Sequence, residues 1–300
     1  MDDLVTKTLD EPLPGGSPNA AVTLRLFKCG EMLVPPDHHH RDGGVAGKIR
    51  GIGIGVDKKD KIWVPLPVFL IEHPSAGRVL VDTGPPASAA HDPKAAFGRL
   101  GAALYTIRVT PEQTIAGQLR ARGIEPSSIK TVVMTHLHLD HAGSISEFPG
   151  ARFVTTTKEW ASAHAPRGFA RGYIKRQFRH GFEYLLVDYD AQAINSFASF
   201  GRSFDLFGDG SITLVSTPGH SAGHQSVVLR LGGREALLCG DAANSKRTIA
   251  EGAPPRAFDD EHNFKRSLRE LRGYTQITPS ALVVPGHDPE TWARLDEFYQ

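Results

Sequence analysis

The chain has 300 residues, Lys plus Arg 34 against Asp plus Glu 33, a formal net charge of +1, and two cysteines, Cys29 and Cys239. This length is ample for a substantial core; the charge balance leaves no global field to gather nucleic acid or an anionic membrane, and two cysteines exclude a disulfide framework and fit a reducing compartment. No apolar run approaches the roughly 20 residues that span a bilayer, and Met1-Asp2-Asp3-Leu4 lacks the basic-then-apolar layout of a secretory signal, so the expectation is a cytoplasmic protein with no membrane insertion.

Residues 1–20 are polar and rich in Pro and Gly (Pro12, Pro14, Gly15, Gly16, Pro18) and read as a flexible N-terminal arm. The stretch 21–300 shows no linker and reads as one domain. Residues 21–27 alternate and form the first predicted strand. A loop at 35–42 carries His38-His39-His40. Adjacent imidazoles in a loop rarely converge on one ion, so a solvated rim is the simpler reading. Residues 62–73 and 78–84 form a hairpin turning at Pro74-Ser75-Ala76-Gly77. Asp82, beside the glycine that ends it, is either a functional rim residue or a turn former.

A helical insertion is expected near 86–128, with Thr110 as cap, Pro111 as first helical residue, Gln113 as box partner and a stop at Gly123. The apolar run 129–134 then leads into Thr135-His136-Leu137-His138-Leu139-Asp140-His141-Ala142-Gly143. Residues 151–156 form another strand, and Thr157-Lys158-Glu159-Trp160 opens a second helical insertion near 158–183. Within it Arg167, Arg171, Lys175 and Arg179 recur every four residues, beside Phe169, Tyr173 and Phe178. This is either an amphipathic surface helix with a solvated basic side or a pocket lid whose cations meet an acidic substrate. The strand 211–217 ends in Pro218-Gly219-His220, and a hairpin of 225–231 and 236–241 turns at Gly232-Gly233. Residues 260–271 are helical, and the strand 280–284 ends in Pro285-Gly286-His287-Asp288.

Four segments share one grammar: an apolar strand stops, a glycine-containing turn follows, and His or Asp stands at the stop. They contribute His136, His138, Asp140, His141, His220, Asp241 and His287. Imidazole and carboxylate hold zinc and similar divalent ions. Five imidazoles and two carboxylates exceed the roughly four donors of one tetrahedral ion. They suit two ions, each with private ligands, sharing one carboxylate. Two-metal hydrolytic sites hold their ions roughly 3.5–4 Å apart, and a bridging hydroxide is then the nucleophile. His224 has helix-pair spacing from His220, but the ligand set is already full, which favours a structural hydrogen-bonding role. Cys239 reads as a buried, inert thiol.

With these motifs assembled, the chain resembles a metallo-β-lactamase-superfamily hydrolase. The resemblance rests on His-x-His-x-Asp-His (136–141), Thr-Pro-Gly-His (217–220), Gly-Asp-Ala (240–242), Gly-His-Asp (286–288) and Val-Asp-Thr-Gly (81–84). It implies an α/β (α+β) fold, a four-layer αββα sandwich with the site at one edge of the two sheets. It also implies that His136, His138 and His220 hold a first metal and Asp140, His141 and His287 a second. Asp241 would bridge them and Asp82 would orient a ligand by hydrogen bonding. Two divalent ions are implied, zinc first, with iron, cobalt or manganese as alternatives.

Within the superfamily, Pro-Val-Phe-Leu-Ile-Glu-His-Pro (67–74) before Val-Asp-Thr-Gly, His-Leu-His-Leu-Asp-His-Ala-Gly and 217–226 resemble the N-acyl-homoserine lactonases, which open a lactone ring and so quench quorum signals. This implies a small lactone or ester substrate with an apolar tail, Asp140 as proton shuttle, no nucleic-acid partner, and allows a homodimer. The chain departs from that branch at Asn244, where the lactonases carry a tyrosine that hydrogen-bonds the substrate carbonyl. Asn244 is a shorter donor; either a tyrosine arrives from elsewhere, Tyr173 or Tyr184, or the substrate differs. The rival readings are a glyoxalase-II-like thioesterase, with the basic stripe as its support, or another carboxylic ester hydrolase of the superfamily.

Overall fold

The computed structural model describes residues 5–36, 56–104, 106–166, 168–191, 194–255 and 258–300. The His38–His40 triplet and Arg167 lie outside them. One sheet contains β1 (Val5–Thr8), β2 (Thr23–Val34), β3 (Ile62–His73), β4 (Gly77–Val81), β5 (Thr106–Arg108), β6 (Thr131–Val133), β7 (Arg152–Thr156), β8 (Glu183–Val187) and β15 (Phe298–Tyr299), in the order β1-β8-β7-β6-β4-β3-β2-β15 with β5 on β2. The other holds β9 (Asn195–Phe197), β10 (Phe200–Asp205), β11 (Ile212–Ser216), β12 (Gln225–Arg230), β13 (Glu235–Leu238) and β14 (Leu282–Val284), in the order β14-β13-β12-β11-β10-β9.

Strand alternation places the layers. Val79 and Val81 of β4, Val133 of β6, Val227 and Leu229 of β12 and Leu238 of β13 meet in one core between the sheets. Their neighbours Leu80 and Val132 face the opposite way, onto a cluster with Ile115 and Leu119 of the helix α2 (Ile115–Arg120). Val228 and Leu237 likewise face α5 (Glu261–Ile277), whose Phe264, Leu268, Leu271 and Tyr274 recur at helical spacing. Each such side chain contributes about 1.5–3 kcal/mol by burial. The result is an αββα sandwich. Its other helices are α1 (Pro93–Leu104), α3 (Thr157–His164), α4 (Lys246–Glu251) and α6 (Pro289–Trp292). Among the described residues no helix is long and apolar enough to cross a membrane.

Several expectations need correction. The 1–20 arm is not loose over its described part: β1 pairs in parallel with β8, and Leu9 and Leu13 join the inter-sheet core. Pro and Gly there shape turns that follow the sheet rather than leave it. The expected strand 21–27 is the start of a longer one, β2, and is preceded by β1. The 86–128 insertion is interrupted by β5, which pairs with β2. Its Thr110–Gln113 capping box is present but caps a 3₁₀ turn, and α2 has its own cap in Thr114. Beyond 164 the basic stripe has no helix to carry it. Ala165 is extended at φ −61°, ψ 156°, as a residue before proline prefers, and among the described residues up to β8 the 3₁₀ turns Gly168–Arg171 and Lys175–Gln177 follow. Lys175 Nζ donates to the His164 carbonyl at 2.9 Å and Arg171 Nη1 to Ser162 Oγ at 3.2 Å, while Tyr173 and Phe178 are buried. α5 outlasts its expected end because Tyr274 packs in the core and its hydroxyl donates to Glu235 Oε2 at 2.6 Å.

Candidate metal centre

β6, β11, β13 and β14 end at one edge of the sandwich, where their following turns bring the seven expected side chains together, and β4 ends beside them with Asp82. His136, His138 and His220 form one group of donors; Asp140, His141 and His287 form another; His136, His141 and Asp241 link them. Within each group the candidate ligand atoms lie within 4.8 Å of one another. The Asp241 carboxylate sits between. Its Oδ2 is 3.2 Å from His220 Nε2 and 3.9 Å from His136 Nε2. Its Oδ1 is 3.0 Å from His287 Nε2 and 3.3 Å from His141 Nε2. Asp140 Oδ2 stands 3.7 Å from Nε2 of both His141 and His287. His220 Nε2 and His138 Nδ1 approach to 2.9 Å.

The surrounding hydrogen bonds fix which ring nitrogen faces inward. His287 Nδ1 donates to the Pro65 carbonyl at 2.8 Å. His141 Nδ1 donates to Asp82 Oδ2 at 2.8 Å. Thr135 Oγ1 gives its proton to Asp82 Oδ2 at 2.7 Å and is left to accept from His136 Nδ1 at 3.0 Å. Each Nε2 is then a lone-pair donor turned to the centre, the arrangement by which outer partners orient metal-ligating imidazoles. His136 Nε2, His141 Nε2 and Asp241 Oδ1 are buried without a hydrogen-bond partner. Buried polar atoms are rarely left so, and a divalent cation would satisfy them. The donor set therefore fits a metal.

The electrostatics agree. Burial works against charge on Asp241, but the imidazoles of His287, His141 and His220 hold it well below the usual carboxylate range. Burial likewise disfavours charge on His141, yet Asp241, Asp140 and Asp82 raise it well above an ordinary imidazole. Burial and the neighbouring imidazoles push His136 well below. The cluster thus draws positive charge to the side of His141 and His287, a place that a metal ion takes by displacing protons.

Asp82 accepts from Thr135 N–H at 2.8 Å as well, so one carboxylate aligns the start of the metal turn and the His141 ring. It does so with φ 61°, a left-handed conformation that aspartate tolerates better than most residues. His224 faces away from the donor groups. Its Nε2 accepts the Asp241 N–H at 3.0 Å and its Nδ1 lies 2.9 Å from Thr217 Oγ1, so it braces Asp241. Gly240 makes room: at φ 52°, a Cβ there would fall 2.7 Å from His224 Nε2. Cys239 is buried, and burial pushes its thiol up to about 12.

Asn244 is buried on the turn after Asp241, and its carbonyl accepts the His287 N–H at 3.2 Å. Neither tyrosine substitutes for a phenol here. Tyr184 lies in β8 with its hydroxyl donating to the Phe178 carbonyl at 2.6 Å. Tyr173 packs its ring 4.9 Å from that of His138, with its hydroxyl turned to Ser162 and Glu159. Sequence reasoning missed Tyr173 as a wall of His138, because the bridge pairing His138 with Tyr173 joins distant segments. It also missed Glu159, whose place near a helix start reads as ordinary capping.

A cluster of imidazoles and carboxylates at the strand ends of an αββα sandwich defines a metallo-hydrolase centre. The model of the metallo-beta-lactamase superfamily matches residues 63–287, and the chain belongs to that superfamily. Over 265 residues it is 34% identical to the N-acyl homoserine lactonase AttM of Agrobacterium fabrum, an alignment covering 86% of this chain and 96% of that one. Among solved structures it is similar to an N-acyl homoserine lactone hydrolase with the product N-hexanoyl-L-homoserine at its catalytic metal centre, at 22% identity and TM-score 0.73, covering 91% of this chain and 96% of that chain. It is also similar to AidC, a dizinc quorum-quenching lactonase, at 14% identity and TM-score 0.58, covering 92% and 91%.

Proposed function

We propose that this protein is a dinuclear metal-dependent hydrolase that opens a lactone ring, with an N-acyl-homoserine lactone or a related lactone as substrate. The observation that carries the reading is the Asp241 carboxylate, one oxygen turned to His220 and His136, the other to His287 and His141. Two donor groups sharing one carboxylate suit two cations, and nitrogen and oxygen donors suit zinc, with iron, cobalt or manganese as alternatives. Such a pair, when bound, supplies Lewis acidity and lowers the pKa of water toward about 7. The relationship to AttM supports the choice of lactone.

In this reading water adds to the ring carbonyl carbon, the acyl C–O bond of the ring breaks, and a proton passes to the departing ring oxygen to give a hydroxy acid. Asp140, nearly buried beside His141 and His287, is the group proposed to move that proton. Asn244 is proposed to donate to the substrate carbonyl in place of a phenol. Leu139 packs with Phe97 and Ile174 beside the metal turn, an apolar wall suited to a tail. The thioesterase alternative would need a group of cations for an acidic substrate; Arg171 and Lys175 instead donate to Ser162 Oγ and the His164 carbonyl. A cytoplasmic setting is proposed, where both buried thiols stay reduced.

Elemental analysis of metal-replete protein tests the nuclearity: about two ions per chain are expected, and none would contradict it. Asn244→Ala is expected to lower lactone turnover with the metal content unchanged; loss of metal in that variant would move Asn244 from substrate binding to site structure.

A further inference from the structure

We infer that Glu159 is a positioning residue whose carboxylate clamps the His136–His138 turn to the His220 loop and so sets the three-histidine donor group. The inference rests on the metal-dependent reading above. Glu159 stands in the first turn of α3, where Thr156 Oγ1 accepts its N–H at 3.0 Å. A glutamate at that position ordinarily reaches back to the cap residue's own N–H and completes a capping box. Here the side chain turns inward instead and is fully buried.

Its Oε1 accepts the N–H of Leu137, the residue between His136 and His138, at 2.9 Å. Its Oε2 accepts the hydroxyl of Ser221, next to His220, at 2.7 Å and the N–H of Gly223 at 3.1 Å. Thr156 Oγ1 adds a second strap to the same loop, donating to the Gly223 carbonyl at 2.8 Å. Three of the donors to Glu159 therefore come from the two loops that carry this histidine group, Tyr173 beside His138 turns its hydroxyl to the same carboxylate, and among the described residues none comes from the turn that carries His287.

Burying a carboxylate is costly unless it is paired and hydrogen-bonded. Among the described residues no lysine or arginine forms an ion pair with Glu159. A cap role would have left it at the surface at no such cost. Its place is explained by what it joins: two loops with no strand pairing between their histidines, held at the 2.9 Å approach of His138 to His220.

The test uses the full chain with zinc alone as probe, and a competing chelator to resolve the affinity of each bound ion. Glu159→Gln keeps the shape but turns an amide NH₂ toward donors, so one strap is lost. The expected result is one ion loosened about 10–100-fold, the range for partners that orient metal ligands, with the other ion unchanged. Ser221→Ala, which removes a single donor, should shift the same ion by less, and His287→Ala should loosen the other. Unchanged affinities in a folded Glu159→Gln protein, or equal loosening of both ions, would overturn the proposal. If Glu159→Gln does not fold, Ser221→Ala decides, and wild-type affinities in that variant overturn it. Failure of the wild-type chain to bind zinc would overturn the metal-dependent reading itself, and this inference with it.

Discussion

Asp241 offers its two oxygens to four imidazoles, and nearly every other polar residue around it serves to aim those rings. The consequences are testable one side chain at a time. Asp241→Ala should abolish lactone hydrolysis while cooperative unfolding, followed by circular dichroism, persists; retained turnover would refute the bridging role. Asp82 holds Thr135 and His141 together, so Asp82→Ala should weaken metal retention about 10–100-fold, read by chelator competition. Far from the centre, Asp209 accepts from Ser17 N–H at 2.8 Å, Ser211 N–H at 2.9 Å and His73 Nε2 at 2.9 Å. Burial opposes its charge, yet donors from Ser211, Ser17 and His73 lower its pKa from 3.8 to about 2. A depressed carboxylate contributes stability that is present above its unfolded pKa and lost as pH falls through the folded one. The contribution of Asp209 should therefore fade between about pH 4 and pH 2. Denaturant midpoints of wild type and Asp209→Asn should converge across that window, and a constant gap would contradict the assignment.

At the scale of elements, strand ends and the starts of α3 and α5 were legible, and the turns that follow α3 were not. Apolar alternation followed by glycine and then His or Asp marked β6, β11, β13 and β14 correctly, because a strand's two faces and its stop are local properties. The segment after α3 was misread for an equally physical reason. A four-residue recurrence of Arg and Lys suggests a helix, but Pro166 ends α3, and the following backbone makes 3₁₀ turns that bury Tyr173 and Phe178. The N-terminal segment was misread because composition says nothing of a strand added from outside the local pattern, as β1 is to β8. Leu13 shows the difference in energy. Buried in the inter-sheet core, its replacement in Leu13→Ala should cost about 2–5 kcal/mol of stability, measured by denaturant titration, whereas a residue in a loose arm would cost almost nothing.

For the whole molecule, the cluster was legible before the fold because seven side chains of zinc-binding type stand at four strand stops. The family resemblance implied their division about Asp241, and the sandwich brings strand ends more than a hundred residues apart in the chain to one edge. Tyr173 and Glu159 were not legible as neighbours of the metal turn, since each meets it through a contact remote in sequence, and the partner of Thr135 that needed the fold is Asp82. Asn244 leaves the substrate's carbonyl partner as the place where this chain differs from the lactonase pattern it resembles. The measurement that bears most directly on the account is acid release from an N-acyl-homoserine lactone, followed by pH-stat with metal-loaded protein, then after chelation, then after zinc is restored. Release should disappear on chelation and return with zinc; no release from the loaded protein, or release unaffected by chelation, would contradict metal-dependent lactone hydrolysis.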